Sequence, residues 1–410
     1  MTKCYICRKR ALPVTSLGVS PKSNFYAHSY EAANEETFPL DLFSCADCGH
    51  LQLENYISPE RLFTNYSYVS GTTHTLRDYF GAVARCSIEA LRPSHVLDVA
   101  SNDGSFLKAY LDFDDQRELG LTGIDPAENL RAAYPPDINI VTGFLNESTN
   151  LNGKFDFISA QNVVAHTPDP VSLLRGIEQH MHNDSVLFLQ TSQAFMLPEC
   201  QFDTVYHEHY SYFSLRSIRA ALDEANLRIA STLISDIHGQ SLVNIVTRKA
   251  AEQDKADQLA SQLLKNKFFR ELTSGEQYLL NDSESFLTQL NRFDQKISQM
   301  KDAFRLWSDE RSSSKIILVG SAAKAVTWMI TVGLSPYLIV DENPSKIGMY
   351  LPSCERPIIG MDDLDIENAT LIVGAWNFYD EIKTKLIEKG LGEKNNVIVK
   401  FFPKFESEKI

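Results

Sequence analysis

No stretch of this 410-residue chain approaches the roughly 20 consecutive apolar residues of a membrane-spanning helix. Excess positive charge is missing too. Against 39 lysines and arginines stand 53 aspartates and glutamates, a formal net charge of −14, so the surface repels nucleic acid and anionic membranes and neither is expected as a partner. Cysteine is scarce: seven in a chain of this length make no disulfide framework. The opening residues MTKCYICRKR carry no apolar core of the kind an export signal needs, and the expected compartment is the cytoplasm. There is no repeat at solenoid spacing and no low-complexity tract. What is present is an ordinary globular composition, 43% hydrophobic and 22% charged. At roughly 150 residues per domain it predicts two or three domains.

The pattern along the chain predicts an α/β protein in three parts. Residues 1–58 are turn-rich, with short apolar runs. Residues 59–249 begin with a helix over THTLRDYFGAVARCSIEALR and then alternate strands (HVLDVA, LTGID, NIVTG, FDFISAQ, SVLFLQT) with helices (SFLKAYL, PAENLRAAY, VSLLRGIEQHM), the signature of a parallel sheet with crossover helices. STLISDIHGQSLVNIVTRK predicts an antiparallel strand pair around a His-Gly turn. Residues 250–410 open with a charged helical linker, and from Lys315 a second α/β unit follows: KIILVGSAAKAVTWMITVGL, YLIVDENP, ATLIVGAW and NVIVKF.

Cys4 and Cys7 form one C-x-x-C pair, Cys45 and Cys48 another. Two tight turns can present four thiolates to one tetrahedral ion, a closed shell that suits structural zinc. Unrelated pairs or a redox pair are the competing readings. Redox C-x-x-C opens a helix after a strand, a context neither pair clearly has.

VLDVASNDGSFL combines a buried strand, an acid at its end and a small-residue turn into a helix, in outline the cofactor site of a class I methyltransferase. Asp98 with the backbone of Ala100, Asn102 and Gly104 would hold the amino-acid end of S-adenosylmethionine. Asp125, about 20 residues on, would take the ribose hydroxyls. Gly143 and Phe144 would lie along the adenine, with Gln161 at the end of the fourth strand in the same site. A dinucleotide fold would need G-x-G-x-x-G, of which this loop has one glycine; an ordinary βα turn is the plain alternative.

Tyr206-His207-Glu208-His209-Tyr210-Ser211-Tyr212 packs two histidines and a glutamate among three tyrosines. In an extended segment His207 and His209 would share one face, a setting for acid/base chemistry. A surface loop or second metal site would also fit, but H-E-H lacks the helical spacing of H-E-x-x-H. His166, just past a strand end, and Tyr66 and Tyr68 in NYSYVSG are further candidates.

The cysteine pairs, NYSYVSG, VLDVASNDGSFL, NVVAHTPDP, VYHEHYSYFS and VGSAAKAVTW…VDENPSKIGMYLP together resemble the three-part sugar C-methyltransferases, over nearly the whole chain and in the same order. The resemblance implies a zinc-binding module, a central class I methyltransferase domain and a second Rossmann-like domain that grips a nucleotide diphosphate. It implies methylation at C3 of a nucleotide-linked 4-keto-deoxysugar, with S-adenosylmethionine and structural zinc as cofactors. It makes Cys4, Cys7, Cys45 and Cys48 the zinc ligands, His209 the general base and Glu208 its orienting neighbour. Tyr68, His166 and Tyr206 fall around the sugar, with Tyr66, His207 and Tyr210 as further substrate contacts. Two segments depart from the family pattern, Leu189-Gln190-Thr191-Ser192 and His238-Gly239-Gln240-Ser241-Leu242-Val243. The second loses a basic residue near the sugar. In the C-terminal unit Ser321 to Lys324 and Asn343 to Lys346, with Lys324, Asn343 and Lys346 foremost, are candidate diphosphate contacts, against a degenerate domain that only packs. A non-sugar carbon acid or an oxygen is an alternative acceptor, and a silent zinc- and nucleotide-binding scaffold an alternative class. A monomer or weak homodimer is expected.

Overall fold

A computed structural model describes residues 2–113, 119–237, 240–311, 314–402 and 405–410. The chain divides into two compact units, each assembled from separated segments. The first takes Met1–Pro13, Phe43–Phe195 and Glu208–Leu287; the second takes Val14–Leu42, Met196–His207 and Thr288–Ile410.

The first unit is built on an eight-stranded sheet. Its order is Phe269–Glu271, Leu227–Ser235, Ser241–Arg248, Met181–Thr191, Phe155–Gln161, His95–Val99, Gly120–Asp125, Ile138–Thr142. The last five strands run parallel. Ser241–Arg248 lies antiparallel to both its neighbours. Val96, Leu97 and Val99 are buried, as a parallel strand covered on both faces requires. The helices start where the sequence offers caps. Thr73 accepts from the Leu76 amide at the head of His74–Leu91, Asp169 precedes Pro170 at the head of Pro170–Gln179, and Ser214 and Ser217 form a capping box for Leu215–Glu224.

Strand order reverses beside His95–Val99: the next two strands are added on one side and the following two on the other. In an open parallel sheet this switch point is where a ligand-binding crevice opens, outside the C-terminal ends of the strands. The loops leaving His95–Val99, Gly120–Asp125 and Phe155–Gln161 end there.

Three local expectations are adjusted. PAENLRAAY forms a 3-10 helix, Glu128–Ala133, and not an α-helix, because Pro126 before it and Pro135-Pro136 after it leave room for two short turns only. Phe269–Glu271, inside the segment read as helical, is a strand paired with Leu227–Ser235; burial of Phe269 against the sheet overrides local propensity. The strand pair Leu227–Ser235 and Ser241–Arg248 forms, while the His238-Gly239 turn lies outside the described residues.

The second unit carries a sheet in the order Leu338–Val340, Lys315–Val319, Ala369–Val373, Val397–Lys400, Glu406–Lys409, parallel except for the last strand. Helix Ala323–Val332 follows strand Lys315–Val319, and Gly333 ends it at φ +73. Ile317, Val319, Leu371 and Ile398 form its core with Leu386 of helix Tyr379–Glu388. No helix among the described residues is long and apolar enough to cross a membrane.

Candidate active site and zinc centre

The four cysteines of the N-terminal pairs converge. Their sulfurs all lie within 4.8 Å of one another, and the shortest contacts, 3.5 Å, join Cys4 to Cys48 and Cys7 to Cys45. A tetrahedral shell with metal–sulfur bonds of about 2.3 Å has sulfur–sulfur edges of about 3.8 Å, whereas a disulfide closes to about 2.05 Å. The turns are alike. Arg8 after the first pair and Gly49 after the second stand at φ 58 and φ 70, and each returns its amide to the first cysteine's carbonyl, at 3.1 and 2.9 Å. The Ile6 amide points at the Cys4 sulfur at 3.4 Å. Converging sulfurs with amides turned toward them fit zinc and not a redox pair. The second turn is braced by Arg216, whose guanidinium donates to the carbonyls of Ala46 and Asp47.

The loop after His95–Val99 has an unusual backbone. Ala100, Asn102 and Gly104 all have positive φ, 59, 52 and 75. This alternation makes a concave loop at the head of helix Ser105–Leu111 with glycine at only one of the three positions. Gly104 is required, since a Cβ there would stand 2.8 Å from the Tyr134 ring. Beneath the loop Asp98 is 4% exposed. Burial pushes its carboxyl well above the usual range, opposed by a hydrogen bond with Ser159, so a cationic ligand above it would restore its charge. Asp125 accepts from the amides of Asn102 (2.8 Å) and Ala127 (2.7 Å), holding two loops together while its remaining lone pairs stay available for hydroxyls. Gly143 has φ 148, Phe144 is exposed beside it, and Gln161 donates to Ser159 at 2.9 Å. These residues fit S-adenosylmethionine: a cradle for its carboxylate, a buried acid for its positive end and a second acid for its ribose.

A second group of side chains gathers near the same switch point. His166 stacks on Phe63, with centroids 5.4 Å apart and planes 6° apart, and its other neighbour is His209, 5.1 Å away. The His209 Nε2 lies 3.0 Å from the Gln193 side-chain nitrogen, both residues being buried. Tyr66 donates its hydroxyl to Glu208 and sits 6.2 Å from Tyr68. Tyr68 is 42% exposed. Burial draws the His166 imidazole down to about 4, so at neutral pH it is an uncharged N–H donor. The cluster therefore brings bases, a neutral donor and phenols together. Gln193, which meets His209, also carries a buried acceptor without a partner, Oε1, as does Asn162 (Oδ1) just past the end of Phe155–Gln161. Neither residue stood out in the sequence, where an amide carries no pattern of its own.

The histidine-rich motif does not run extended. A turn at His207 and Glu208 rotates successive side chains apart, so His207 and His209 share no face. His207 counts with the second unit, edge-on to Phe38 at 5.8 Å, and burial draws its imidazole down to about 4. Tyr206 falls in the same segment. Tyr210, expected at the substrate, is 1% exposed; its amide donates to Ala165 and its hydroxyl to the carbonyl of Ile57, so the ring belongs to the framework.

Three family descriptions match in order along the chain: a zinc binding domain over residues 4–63, a methyltransferase domain over 72–232 and a C-methyltransferase C-terminal domain over 236–400. By its domains the chain is similar to the three-part C-methyltransferases. C-methyltransferase NovU of Streptomyces niveus is 28% identical over 276 residues, a match spanning 64% of each chain. Among solved structures, an S-adenosylmethionine-dependent methyltransferase from Clostridium acetobutylicum is 12% identical over 42% of this chain and 91% of its own, at a TM-score of 0.34. The amino pentose methyltransferase CalS10 from Micromonospora echinaspora is 15% identical over 42% and 91%, at 0.32. At such TM-scores these likenesses add nothing to the assignment.

In the second unit, the position where a dinucleotide fold binds ribose is already filled. Asp341, after the strand Leu338–Val340, accepts from the Ser321 amide (2.9 Å) and hydroxyl, from the Asn343 amide (2.9 Å) and from Lys346 (3.0 Å). Burial alone would raise the Asp341 carboxyl, but the Lys346 ammonium and these hydrogen bonds hold it below its usual range. Asn343 caps a turn, its side-chain oxygen accepting from Ser345. Lys346 and Asn343, expected at a diphosphate, thus hold the loop together. Lys324 lies over the Trp376 ring, 5.2 Å from its centroid, beside Asp203, to which Trp376 donates at 2.7 Å.

Proposed function

We propose that this protein transfers a methyl group from S-adenosylmethionine to the carbon α to the ketone, C3, of a nucleotide-linked 4-keto-deoxysugar. The observation that carries the reading is the His166–His209 pair beside the Tyr66–Glu208 hydrogen bond, at the switch point that also receives the cradle loop. The printed name of the relative, a C-methyltransferase, supports carbon as the acceptor.

In this reading Asp98, Asp125 and the loop from Ala100 to Gly104 hold the cofactor, with Gly143, Phe144 and Gln161 along it. Bound S-adenosylmethionine supplies an electrophilic methyl group. The chain's own task is to make the acceptor carbon nucleophilic. His209 takes the C3 proton, and the C–H electron pair passes into an enolate with its charge on the C4 oxygen. His166, neutral and half-buried, donates to that oxygen in place of water, with Tyr68 on the open side. Glu208 and Tyr66 fix each other so that the wall beside His209 keeps its shape. Zinc at the four cysteines stabilises the fold and takes no part in this step. Lys324, beside the exposed end of helix Ala323–Val332, is the best-placed cation in the second unit for the diphosphate.

The test incubates purified protein with a panel of nucleotide-linked 4-keto-6-deoxysugars in deuterated water, with and without S-adenosylmethionine, and reads mass. Deuterium uptake without the cofactor and a 14-dalton gain with it, about the mass of one CH₂, would establish the enolate route. Cofactor binding with neither signal across the panel would sink the sugar reading.

A further inference from the structure

The segment 64–71, which brings Tyr66 to Glu208, is held by side chains from the two cofactor loops. Asn129 bonds both backbone atoms of Tyr66. Its side-chain oxygen accepts from the Tyr66 amide at 3.0 Å, and its side-chain nitrogen donates to the Tyr66 carbonyl at 2.9 Å. This imitates one rung of a β-ladder with an exposed side chain. Asn102 bridges two residues further on, donating to the Tyr68 carbonyl at 3.0 Å and accepting from the Ser70 amide at 2.8 Å. The Glu128 amide donates to the Thr64 carbonyl at 3.1 Å, and the Gly71 amide to Asp103 at 3.3 Å. Gly71 comes so near that a Cβ would stand 2.1 Å from the Ser105 hydroxyl. Asn102 sits on the loop after His95–Val99 and Asn129 on the loop after Gly120–Asp125, and Asp125 joins the loops through its bonds to Asn102 and Ala127.

We propose that Asn129 and Asn102 are positioning residues that couple cofactor binding to the acid/base wall. A ligand that settles Asp125 and the Ala100–Gly104 cradle thereby settles the backbone of Tyr66 and delivers its hydroxyl to Glu208. A bound methyl donor thus readies the wall before an acceptor is deprotonated. This rests on the methyltransferase reading for its purpose, but the linkage itself needs no sugar.

The experiment is hydrogen exchange read by mass spectrometry on the full chain, with and without saturating S-adenosylhomocysteine. In the wild type the ligand is expected to slow exchange over residues 66–71 about tenfold, together with residues 100–105. In Asn129→Leu, an exposed substitution that removes both bonds, the affinity for S-adenosylhomocysteine should stay within about threefold and residues 100–105 should remain protected. Protection over 66–71 should fall at least about fivefold. Asn129→Asp keeps the acceptor for the Tyr66 amide and should recover part of it. Indifference of residues 66–71 to the ligand in the wild type, or wild-type exchange there in Asn129→Leu, would overturn the proposal. Where a keto sugar is turned over, Asn129→Leu should lower kcat about tenfold and leave the KM for S-adenosylmethionine unmoved. Intact exchange coupling with no methylated sugar would overturn the substrate reading alone.

Discussion

The hydroxyl of Tyr66 donates to Glu208 at 2.8 Å, across 142 residues of chain. Glu208 therefore has a partner of its own, while His209, next in sequence, meets Gln193 and His166. Tyr66→Phe removes the donor and little else. Methyl transfer should fall roughly 10- to 100-fold in kcat while the affinity for S-adenosylmethionine, measured by calorimetry, changes less than about threefold. Unchanged turnover would make the pair a structural bond.

Metal analysis of the purified protein should find one zinc ion per chain bound to Cys4, Cys7, Cys45 and Cys48. Cys48→Ser should lower the zinc content and destabilise the fold by more than about 3 kcal/mol, seen as a drop in thermal midpoint that added zinc does not reverse. A variant with full stability and no zinc would remove the metal from the folding account.

Imidazoles that the fold keeps neutral, His166 and His207 among them, make it acid-sensitive. His166 and His207 ionise near 6.5 when unfolded but only at about 4 when folded. Between those values the unfolded chain binds more protons, so stability is full above about pH 6.5, falls as pH drops toward 4 and then levels. Each contributes at most about 3 kcal/mol across that window. Urea midpoints measured at pH 7.5 and 5 should show the loss, and His207→Phe should reduce it; an unaltered slope would place the acid sensitivity elsewhere.

Ala100 carries a left-handed backbone, φ 59, that glycine adopts without penalty. Ala100→Gly should stabilise the protein by about 1 kcal/mol, and Ala100→Val should destabilise it by more. Chemical denaturation of the three proteins decides it, the reverse order being incompatible with this loop conformation.

The two lysines of the second unit should behave differently. Lys324→Met should weaken binding of thymidine or uridine diphosphate about tenfold with little change in stability. Lys346→Met leaves Asp341 without its counter-charge and should cost about 3 kcal/mol of stability. Equal effects of both on nucleotide affinity would return Lys346 to the binding site.

What could be read from sequence follows from range. The zinc centre was legible because two short turns each declare themselves by residue type and spacing, and the sheet around His95–Val99 because strands and helices alternate in hydrophobic period. The cradle was legible from Asp98 and the small residues after it, though not its reliance on Ala100 and Asn102 in place of glycine. The H-E-H geometry was not, since a turn at His207 and Glu208 replaces the strand that alternation implies. Gln193 and Asn129 were invisible, because an amide that bonds a distant residue leaves no local period. Lys346 looked like a phosphate ligand until its buried partner, Asp341, was seen.

The division between the two units falls inside the histidine-rich motif, between His207 and Glu208, and the second unit also claims Val14–Leu42. Exchanging substrate specificity between relatives by splicing their C-terminal halves would therefore separate residues 14–42 and 196–207 from the unit with which they fold. A working chimera has to carry three stretches of sequence together, with its seams beside the zinc turns and in the middle of the histidine-rich motif. Residues 14–42, 196–207 and 288–410 are then inherited as a block, open to single substitutions but not to a simple two-part splice.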